Sequence, residues 1–237
     1  MRSFKDILTM LFKQKKNNEP WLDYYSREER SIKFTDKSIY NYMIDSVGQD
    51  KDYFALNYFD NRITYNEFFD KIDICARALR SYGVKEGDIV TICLPNMPEA
   101  IEAFYACNKI GAIADMVHPL SSPEQIKFYL QENKSRFLFL VDFDYEKFNK
   151  VIDETLVYKT ILVSPKEGMP IGLSIGYSLT RGLKTKRPRF SDSDYMSWKE
   201  FLNAGISYTK DFAADVKKDD VAVILHSGGT TGTPKGI

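Results

Sequence analysis

Residues 86–117 read EGDIVTICLPNMPEAIEAFYACNKIGAIADMV, and the architecture of the chain can be worked out from this stretch. It contains two apolar runs, Ile89–Leu94 and Ala112–Val117, each short, bounded by turn residues and suited to a buried strand. Between them Pro98 stands where a first helical residue would, and an apolar periodicity continues to Gly111. The stretch therefore predicts a strand, a helix and a second strand.

The same alternation continues on the C-terminal side. Two more apolar runs follow, separated by segments with helical periodicity, and Ser122 precedes one of these as a cap. Apolar strands that alternate with helices pair in parallel and are covered on both faces. The sequence therefore predicts the α/β class, with an open, mostly parallel sheet flanked by helices on both faces. The elements expected are a helix from Pro123, a strand Arg136–Val141, a helix from Tyr145 to about Thr155, a strand Thr160–Ser164 and a strand Val221–Leu225.

A short hairpin is expected on the N-terminal side of the alternation. Tyr53–Tyr58 and Arg62–Tyr65 alternate as strands do. Thr64, with Glu67 three residues later, forms a capping box that predicts the start of a helix. That helix is expected to end at Gly83, in the position that glycine favours.

Residues 165–196 interrupt this rhythm. Four glycines divide an apolar stretch, and five basic residues follow without an acid among them, which predicts an excursion from the sheet. Contact with anionic lipid or a ligand tail and a solvated surface segment both remain open for it. Ser197, with Glu200 three residues later, is expected to cap a short helix after the excursion.

Composition excludes several classes of protein. The 237 residues carry 33 basic and 33 acidic side chains, and this zero net charge lacks the positive field that nucleic-acid binding requires. Three cysteines without a C-x-x-C pair and two histidines are too few for a metal cluster, and they indicate buried thiols in a reduced, cytoplasmic setting. No run approaches the roughly 20 apolar residues of a membrane span.

The N-terminal segment is treated as separate from the α/β part. We divide the chain into a helical segment, residues 1–50, and the α/β part, residues 51–237. Within the first, five apolar residues recur at helical spacing beside lysines, which allows peripheral contact with a membrane surface. Docking on its own domain, or fraying at the terminus, is the alternative. The five are Phe4, Ile7, Leu8, Leu11 and Phe12.

The last residues of the chain resemble a phosphate cradle. His226–Gly236 reads HSGGTTGTPKG and follows the run Val221–Leu225. Glycines let the backbone approach phosphate oxygens, exposed N–H groups and hydroxyls donate hydrogen bonds, and a lysine compensates charge. Two familiar phosphate loops do not match, because Lys235 is flanked by Pro234 and Gly236 and the glycines lack dinucleotide-binding spacing. His226 itself either faces a nucleotide or is a strand-end histidine, and the same two readings hold for His118.

Read as [ST]-[SG]-G-T-T-G-x-P-K-G, residues 227–236 resemble the phosphate-binding signature of the acyl-adenylate-forming superfamily. This superfamily contains acyl-CoA synthetases, luciferases and peptide-synthetase adenylation domains. Other segments are similar to its further motifs, although Phe68 replaces the usual Leu and His118 the common Asn. These segments are Ile63–Glu67, Gly87–Val90 with Leu94–Glu99, and Lys109–Ala112 with Pro119–Leu120.

The resemblance implies a ligase that adenylates a carboxylic acid with ATP and Mg²⁺ and then forms a thioester with coenzyme A. Gly228, the opening Pro20–Tyr25 and the basic excursion look more like long- and medium-chain fatty acyl-CoA ligases. The implied phosphate-binding residues are Ser227, Gly228, Gly229, Thr230, Thr231, Gly232, Thr233 and Lys235. Pro234 would stiffen this loop. The catalytic lysine, the acidic metal ligand and the C-terminal lid domain are expected beyond Ile237, so no metal ligand is assigned in this chain.

Two alternatives stay open. A related ligase could activate an amino or aryl acid instead of a fatty acid. The chain could also be a catalytically incomplete nucleotide-binding fragment, because most of the nucleotide and acid pockets would lie downstream. The expected partner of the ligase is a small-molecule carboxylate, with a fatty acid favoured, and no nucleic acid is expected as a partner.

Overall fold

A computed structural model describes residues 20–31, 35–186, 188, 194–227 and 236. The predicted N-terminal amphipathic helix, most of the basic run past residue 186 and residues 228–235 of the predicted loop lie outside these residues. The chain divides into two compact units, Met1–Thr35 and Asp36–Ile237. In the first, Pro20–Tyr24 form a 3-10 helix and Arg27–Arg30 form helix α1, whose cap is Ser26.

The described part of the second unit contains a small antiparallel hairpin and a larger parallel sheet with its helices. Its elements in chain order are α2 (Ile39–Val47), β1 (Phe54–Tyr58), β2 (Asn61–Thr64), α3 (Tyr65–Ser81), β3 (Ile89–Cys93), α4 (Pro98–Lys109), β4 (Ile113–Met116), α5 (Pro123–Glu132), β5 (Phe137–Val141), α6 (Tyr145–Ile152), β6 (Lys159–Val163), α7 (Ile171–Thr180), β7 (Tyr195–Ser197), α8 (Trp198–Ser207) and β8 (Val223–Leu225).

The parallel sheet has the strand order β7-β6-β5-β3-β4-β8. Every neighbouring pair in it runs in the same direction. The hairpin of β1 and β2 is antiparallel, as its alternating pattern predicts. The predicted open parallel sheet is therefore confirmed, with β8 at one edge beside β4.

Strand β5 shows why both faces of the sheet are covered. Phe137, Phe139 and Val141 point into one core with helices α3, α4 and α8, whereas Leu138 and Leu140 point into a second core with α5 and α6. Successive side chains of a strand alternate between faces, so a run that is apolar throughout must be buried on both sides. The predicted helices on both faces are confirmed.

The predicted helix signals act as expected. The Glu67 N–H donates to Thr64 Oγ1 over 3.3 Å, and the Thr64 N–H donates to the Glu67 carboxylate over 2.8 Å. The same reciprocal box joins Ser197 and Glu200 at the start of α8. Gly83, just past α3, has a φ of +86°, which explains the glycine there because other residues rarely adopt this conformation.

Several strand boundaries differ from the prediction by one residue, and three differences are larger. Residues 165–196 are not only an excursion, because Tyr195–Ser197 return as strand β7 and pair with β6. The strand was missed because it has three residues and no alternation long enough to recognise. Helix α6 ends at Ile152 instead of near Thr155, and β8 begins at Val223 instead of Val221.

Helix α2 lies N-terminal to the predicted boundary at residue 50 and contributes Tyr40 to the main core of the second unit. The division of the chain at that residue stays a prediction. In the described part of the chain, no helix is long and apolar enough to cross a membrane. The three cysteines are free and buried, as expected.

Two buried glutamates distinguish helix α4. The side chains of Glu99 and Glu102 lie almost entirely out of solvent, and the nearest cation to Glu102 is Lys71, 3.8 Å away. Burial, together with the neighbouring charge of Glu102, raises the pKa of Glu99 to about 8. Burial also raises the pKa of Glu102.

Glu99→Gln is expected to stabilise the protein at alkaline pH. Between the ordinary carboxyl pKa and about 8, the unfolded chain ionises Glu99 while the folded chain keeps it protonated, so stability falls as pH rises through this window. At pH values above this window, removing the group should raise the free energy of unfolding by roughly 2–4 kcal/mol. In mild acid it should change the free energy of unfolding little. Urea unfolding across pH measures this, with Glu124→Gln, an exposed residue of α5, as control. A Glu99→Gln difference that does not vary with pH would contradict it.

Candidate functional site

The candidate site lies where strands β4 and β8 end. The two strands are adjacent and parallel, with Met116 opposite Leu225, so their carboxyl ends lie side by side at the same end of the sheet. In open α/β sheets, ligands bind beyond the carboxyl ends of the strands. The predicted phosphate loop starts at this edge, because Ser227 is two residues past the end of β8.

The two ends of the loop are held together. His226 and Gly236 form an isolated antiparallel bridge, which closes the segment between them. A Cβ on Gly236 would lie 3.1 Å from Ile224 Cγ2, so the returning chain packs closely on the strand. Of the predicted phosphate-binding residues, Ser227 is described, whereas Gly228, Gly229, Thr230, Thr231, Gly232, Thr233 and Lys235 lie outside the described residues. Their roles stay predictions.

A buried polar relay supports the start of the loop. His226 Nε2 lies 2.6 Å from Asp115 Oδ1, and the Thr91 hydroxyl donates to Asp115 Oδ2 over 2.8 Å. Asp115 and Thr91 are completely buried in β4 and β3. A buried carboxyl group needs such partners, because its desolvation is otherwise uncompensated. The relay therefore connects β3 and β4 with the residue that follows β8, at the carboxyl ends of these strands, where the loop begins.

The imidazole of His226 is also held from its face. Its ring stacks on Tyr129 of α5, with centroids 3.8 Å apart. Burial, and to a lesser extent the charges of Asp115 and Glu132, raises the pKa of Tyr129. His226 Nδ1 is buried and has no hydrogen-bond partner among the described residues. These contacts favour the interpretation of His226 as a strand-end histidine.

Sequence reasoning missed Asp115, Thr91 and Tyr129. One signal was present, since Asp115 is a charged residue inside the apolar run Ala112–Val117, and a buried charge requires a partner. The partner lies 111 residues away in the chain, so sequence spacing does not identify it.

His226→Phe is expected to destabilise the fold by about 3 kcal/mol, since it keeps an aromatic ring against Tyr129 but leaves buried Asp115 with Thr91 alone. Adding Asp115→Asn should recover most of this loss, because the amide carries no charge to compensate. Urea unfolding of both single variants and the double variant gives the coupling energy. Additive losses would show that the two side chains do not depend on each other.

His118 has a different role. Its side chain is exposed, and its Nδ1 accepts the Leu120 N–H over 3.1 Å, while the Ser121 N–H donates to the His118 carbonyl over 3.0 Å. An asparagine oxygen commonly accepts the backbone N–H two residues on in the same way. This geometry explains how histidine can stand where the resembling motif has asparagine.

The profile of the family described as "AMP-binding enzyme" matches residues 44–237. The chain belongs to this family. The match includes both strands of the site, Thr91, Asp115 and His226, and the whole predicted loop, so the signature lies inside the matched region.

Two curated relatives that are similar to this chain have names that refer to different acids. The long-chain-fatty-acid–CoA ligase of Bacillus subtilis (strain 168) is 22% identical over 222 residues, which are 93% of this chain and 40% of the relative. The acetyl-coenzyme A synthetase of Bartonella quintana (strain Toulouse) is 31% identical over 183 residues, 76% of this chain and 27% of the relative. The chain thus spans less than half the length of these curated relatives.

A solved structure shows the same fold. The anthranilate CoA ligase AuaEII, in complex with anthranoyl-AMP, superimposes with a TM-score of 0.69 at 19% identity, over 85% of this chain and 34% of that one. At this identity the likeness establishes the α/β architecture of this AMP-binding chain and leaves its substrate open.

The segment Lys109–Ala112, which also carries the sequence resemblance, has a structural role. Lys109 bridges helices by contacting the Tyr40 hydroxyl and the Asp73 carboxylate. Gly111, two residues later, has a φ of +71°, and a Cβ there would lie 2.8 Å from the Glu86 side chain. This segment therefore fixes the turn between α4 and β4. It lies at the amino end of β4, opposite the end where the predicted phosphate loop begins.

Proposed function

We propose that this chain is the N-terminal part of an ATP-dependent acyl-CoA ligase that adenylates a fatty acid and transfers the acyl group to coenzyme A. The observation that carries the proposal is the position of the Ser227–Gly236 signature. It leaves the carboxyl end of β8, where open α/β sheets bind ligands, and its ends are closed by the bridge between His226 and Gly236.

The proposed chemistry has two steps. A carboxylate oxygen of the acid attacks the α-phosphorus of ATP, and the bond between the α-phosphorus and the bridging oxygen breaks. Pyrophosphate departs, and the acid and AMP remain joined as an acyl-adenylate. The thiolate of coenzyme A then attacks the acyl carbon, and AMP departs with the oxygen that came from the acid. The first step brings an anion to a polyanion, so the reactants must be held in line and their charge neutralised.

The loop is proposed to provide this neutralisation at the leaving phosphates. Backbone N–H groups at the three glycines and hydroxyls of the serine and threonines would donate to phosphate oxygens, and Lys235 would lie near the departing pyrophosphate. The relay of Thr91, Asp115 and His226 would position the first residue of the loop. The residues proposed for phosphate binding are Ser227, Gly228, Gly229, Thr230, Thr231, Gly232, Thr233 and Lys235.

ATP and coenzyme A are the proposed co-substrates, and Mg²⁺ is the proposed cofactor. Mg²⁺ would neutralise phosphate oxygens, and its acidic protein ligand is proposed to lie past Ile237, like the catalytic lysine. Among the described residues, no group of three His, Cys, Asp or Glu side chains could hold a metal ion. We propose a cytoplasmic location, with peripheral contact to a membrane.

A panel of acids tests the substrate class. The complete protein, with ATP, Mg²⁺ and coenzyme A, should form acyl-CoA fastest from long- or medium-chain fatty acids, measured by mass spectrometry of the thioesters. Acetate, an aryl acid such as anthranilate and amino acids are the comparison substrates. Faster conversion of one of these acids would show that the fatty acid is the wrong substrate. ATP binding without formation of any thioester would favour a nucleotide-binding role without catalysis.

A further inference from the structure

Helix α7 presents its apolar side to solvent. Ile171, Ile175 and Leu179 recur every four residues and therefore share one side of the helix, with exposed fractions of 82%, 57% and 65%. Leu183, just past the helix, is 78% exposed. A surface helix of a globular protein ordinarily turns such a stripe toward the core. Helix α7 buries none of its residues and contains no charged side chain.

The side of α7 nearest the protein is the polar one. Its partly buried residues are Ser174, Tyr177 and Ser178, and the Ser178 hydroxyl donates to the Ser174 carbonyl over 2.8 Å. The helix is therefore inverted: two serines and a tyrosine lie inward and branched aliphatic residues lie outward. Its orientation leaves an exposed apolar stripe.

Basic residues border the stripe. The sequence from Arg181 to residue 189 carries five basic residues and no acid. Arg181, Lys184 and Lys186 line a cleft of about 510 Å³ whose acidic member, Glu146, lies 2.7 Å from Lys186. Within the described residues, Arg181 and Lys184 form no ion pair. The surface thus combines exposed aliphatic side chains with two basic side chains, Arg181 and Lys184, that have no acidic partner among the described residues.

We propose that α7 and this basic cleft dock the protein on an anionic phospholipid bilayer. A bilayer supplies both complements together, because the stripe can enter the acyl boundary while Arg181 and Lys184 meet phosphate-bearing headgroups. A covering protein segment would have to bring an apolar face and acidic residues to the same place. The inference names the surface for the peripheral contact proposed above and rests on that contact, not on adenylation chemistry.

Vesicle flotation tests the surface without ATP or acid. The complete protein should float with phosphatidylcholine vesicles that contain phosphatidylglycerol, much less with phosphatidylcholine alone, and less at high salt. Ile175→Asp with Leu179→Asp should reduce the bound fraction by roughly tenfold or more, because two exposed aliphatic groups that would enter the bilayer become charged. Arg181→Glu with Lys184→Glu should produce a loss of about the same size on anionic vesicles.

Matched controls place the same charges elsewhere. Leu156→Asp, at a residue 59% exposed before β6, and Lys199→Glu, exposed on α8, should float like the unaltered chain. Because all altered residues are exposed, circular dichroism and melting temperature should stay unchanged. Flotation that survives both pairs of substitutions, or that is lost only on removing residues 1–19, would overturn the proposal. So would the absence of flotation with anionic vesicles, even if acyl-CoA synthesis were demonstrated.

Discussion

Lys235→Ala is expected to slow adenylate formation by at least about 100-fold, the usual cost of removing one preorganised group that stabilises developing charge. The lysine lies outside the described residues, so this expectation rests on its place in the Ser227–Gly236 signature and on the position of that loop at the end of β8. Pyrophosphate exchange into ATP by the complete protein measures the step. Binding of the acid, measured separately, should change little because the substitution acts on the phosphates.

Lys199→Ala is the matched control for this experiment. It removes the same charge from an exposed position on α8 and should leave the exchange rate unchanged. Equal rates for Lys235→Ala and the unaltered protein would show that the lysine has no role in the chemistry, and the assignment of the phosphate loop would then be wrong.

Gly205→Ala is expected to destabilise the fold by at least about 4 kcal/mol, above the usual cost of overpacking a core. Gly205 lies where α8 crosses α3. A Cβ there would be 2.1 Å from the Ile74 carbonyl oxygen and 3.1 Å from Ala78 Cβ. Because the first of these is a backbone atom, no side-chain rotation relieves the overlap, and the two helices must separate. Urea unfolding measures the loss.

Gly176→Ala provides the comparison within a helix of the same protein. A Cβ on Gly176 would meet nothing within 4 Å, so alanine should be neutral or stabilising by about 0.5–1 kcal/mol. A Gly205→Ala loss no larger than about 1 kcal/mol would mean that α3 and α8 do not pack as closely as described.

The local signals in the sequence predicted most of the architecture. Thr64, Ser122 and Ser197 each cap the helix expected of them, and the apolar runs form parallel strands covered on both faces. These features succeed because each depends on residues within one turn or one strand. Strand β7 was missed because three residues carry no readable period, and its pairing with β6 is a tertiary contact.

The candidate site was only partly predictable. The signature at residues 227–236 indicated phosphate chemistry, and the sequence predicted that it directly follows a strand. The relay of Thr91, Asp115 and His226 joins residues of β3 and β4 with a residue 111 positions past Asp115, so no local pattern identifies it. The inverted orientation of α7 was equally unreadable, because composition shows aliphatic residues and glycines but not which side of the helix meets the protein.

Transfer of heavy oxygen from the acid to AMP tests the central claim most directly. The complete protein would be given ATP, Mg²⁺, coenzyme A and a fatty acid labelled with heavy oxygen in its carboxyl group, and the AMP would be analysed by mass spectrometry. Formation of an acyl-adenylate predicts one labelled oxygen in the phosphate of AMP, because the attacking carboxylate oxygen stays on phosphorus. Unlabelled AMP, or ADP in its place, would contradict the assignment of this chain to a carboxylate-adenylating enzyme.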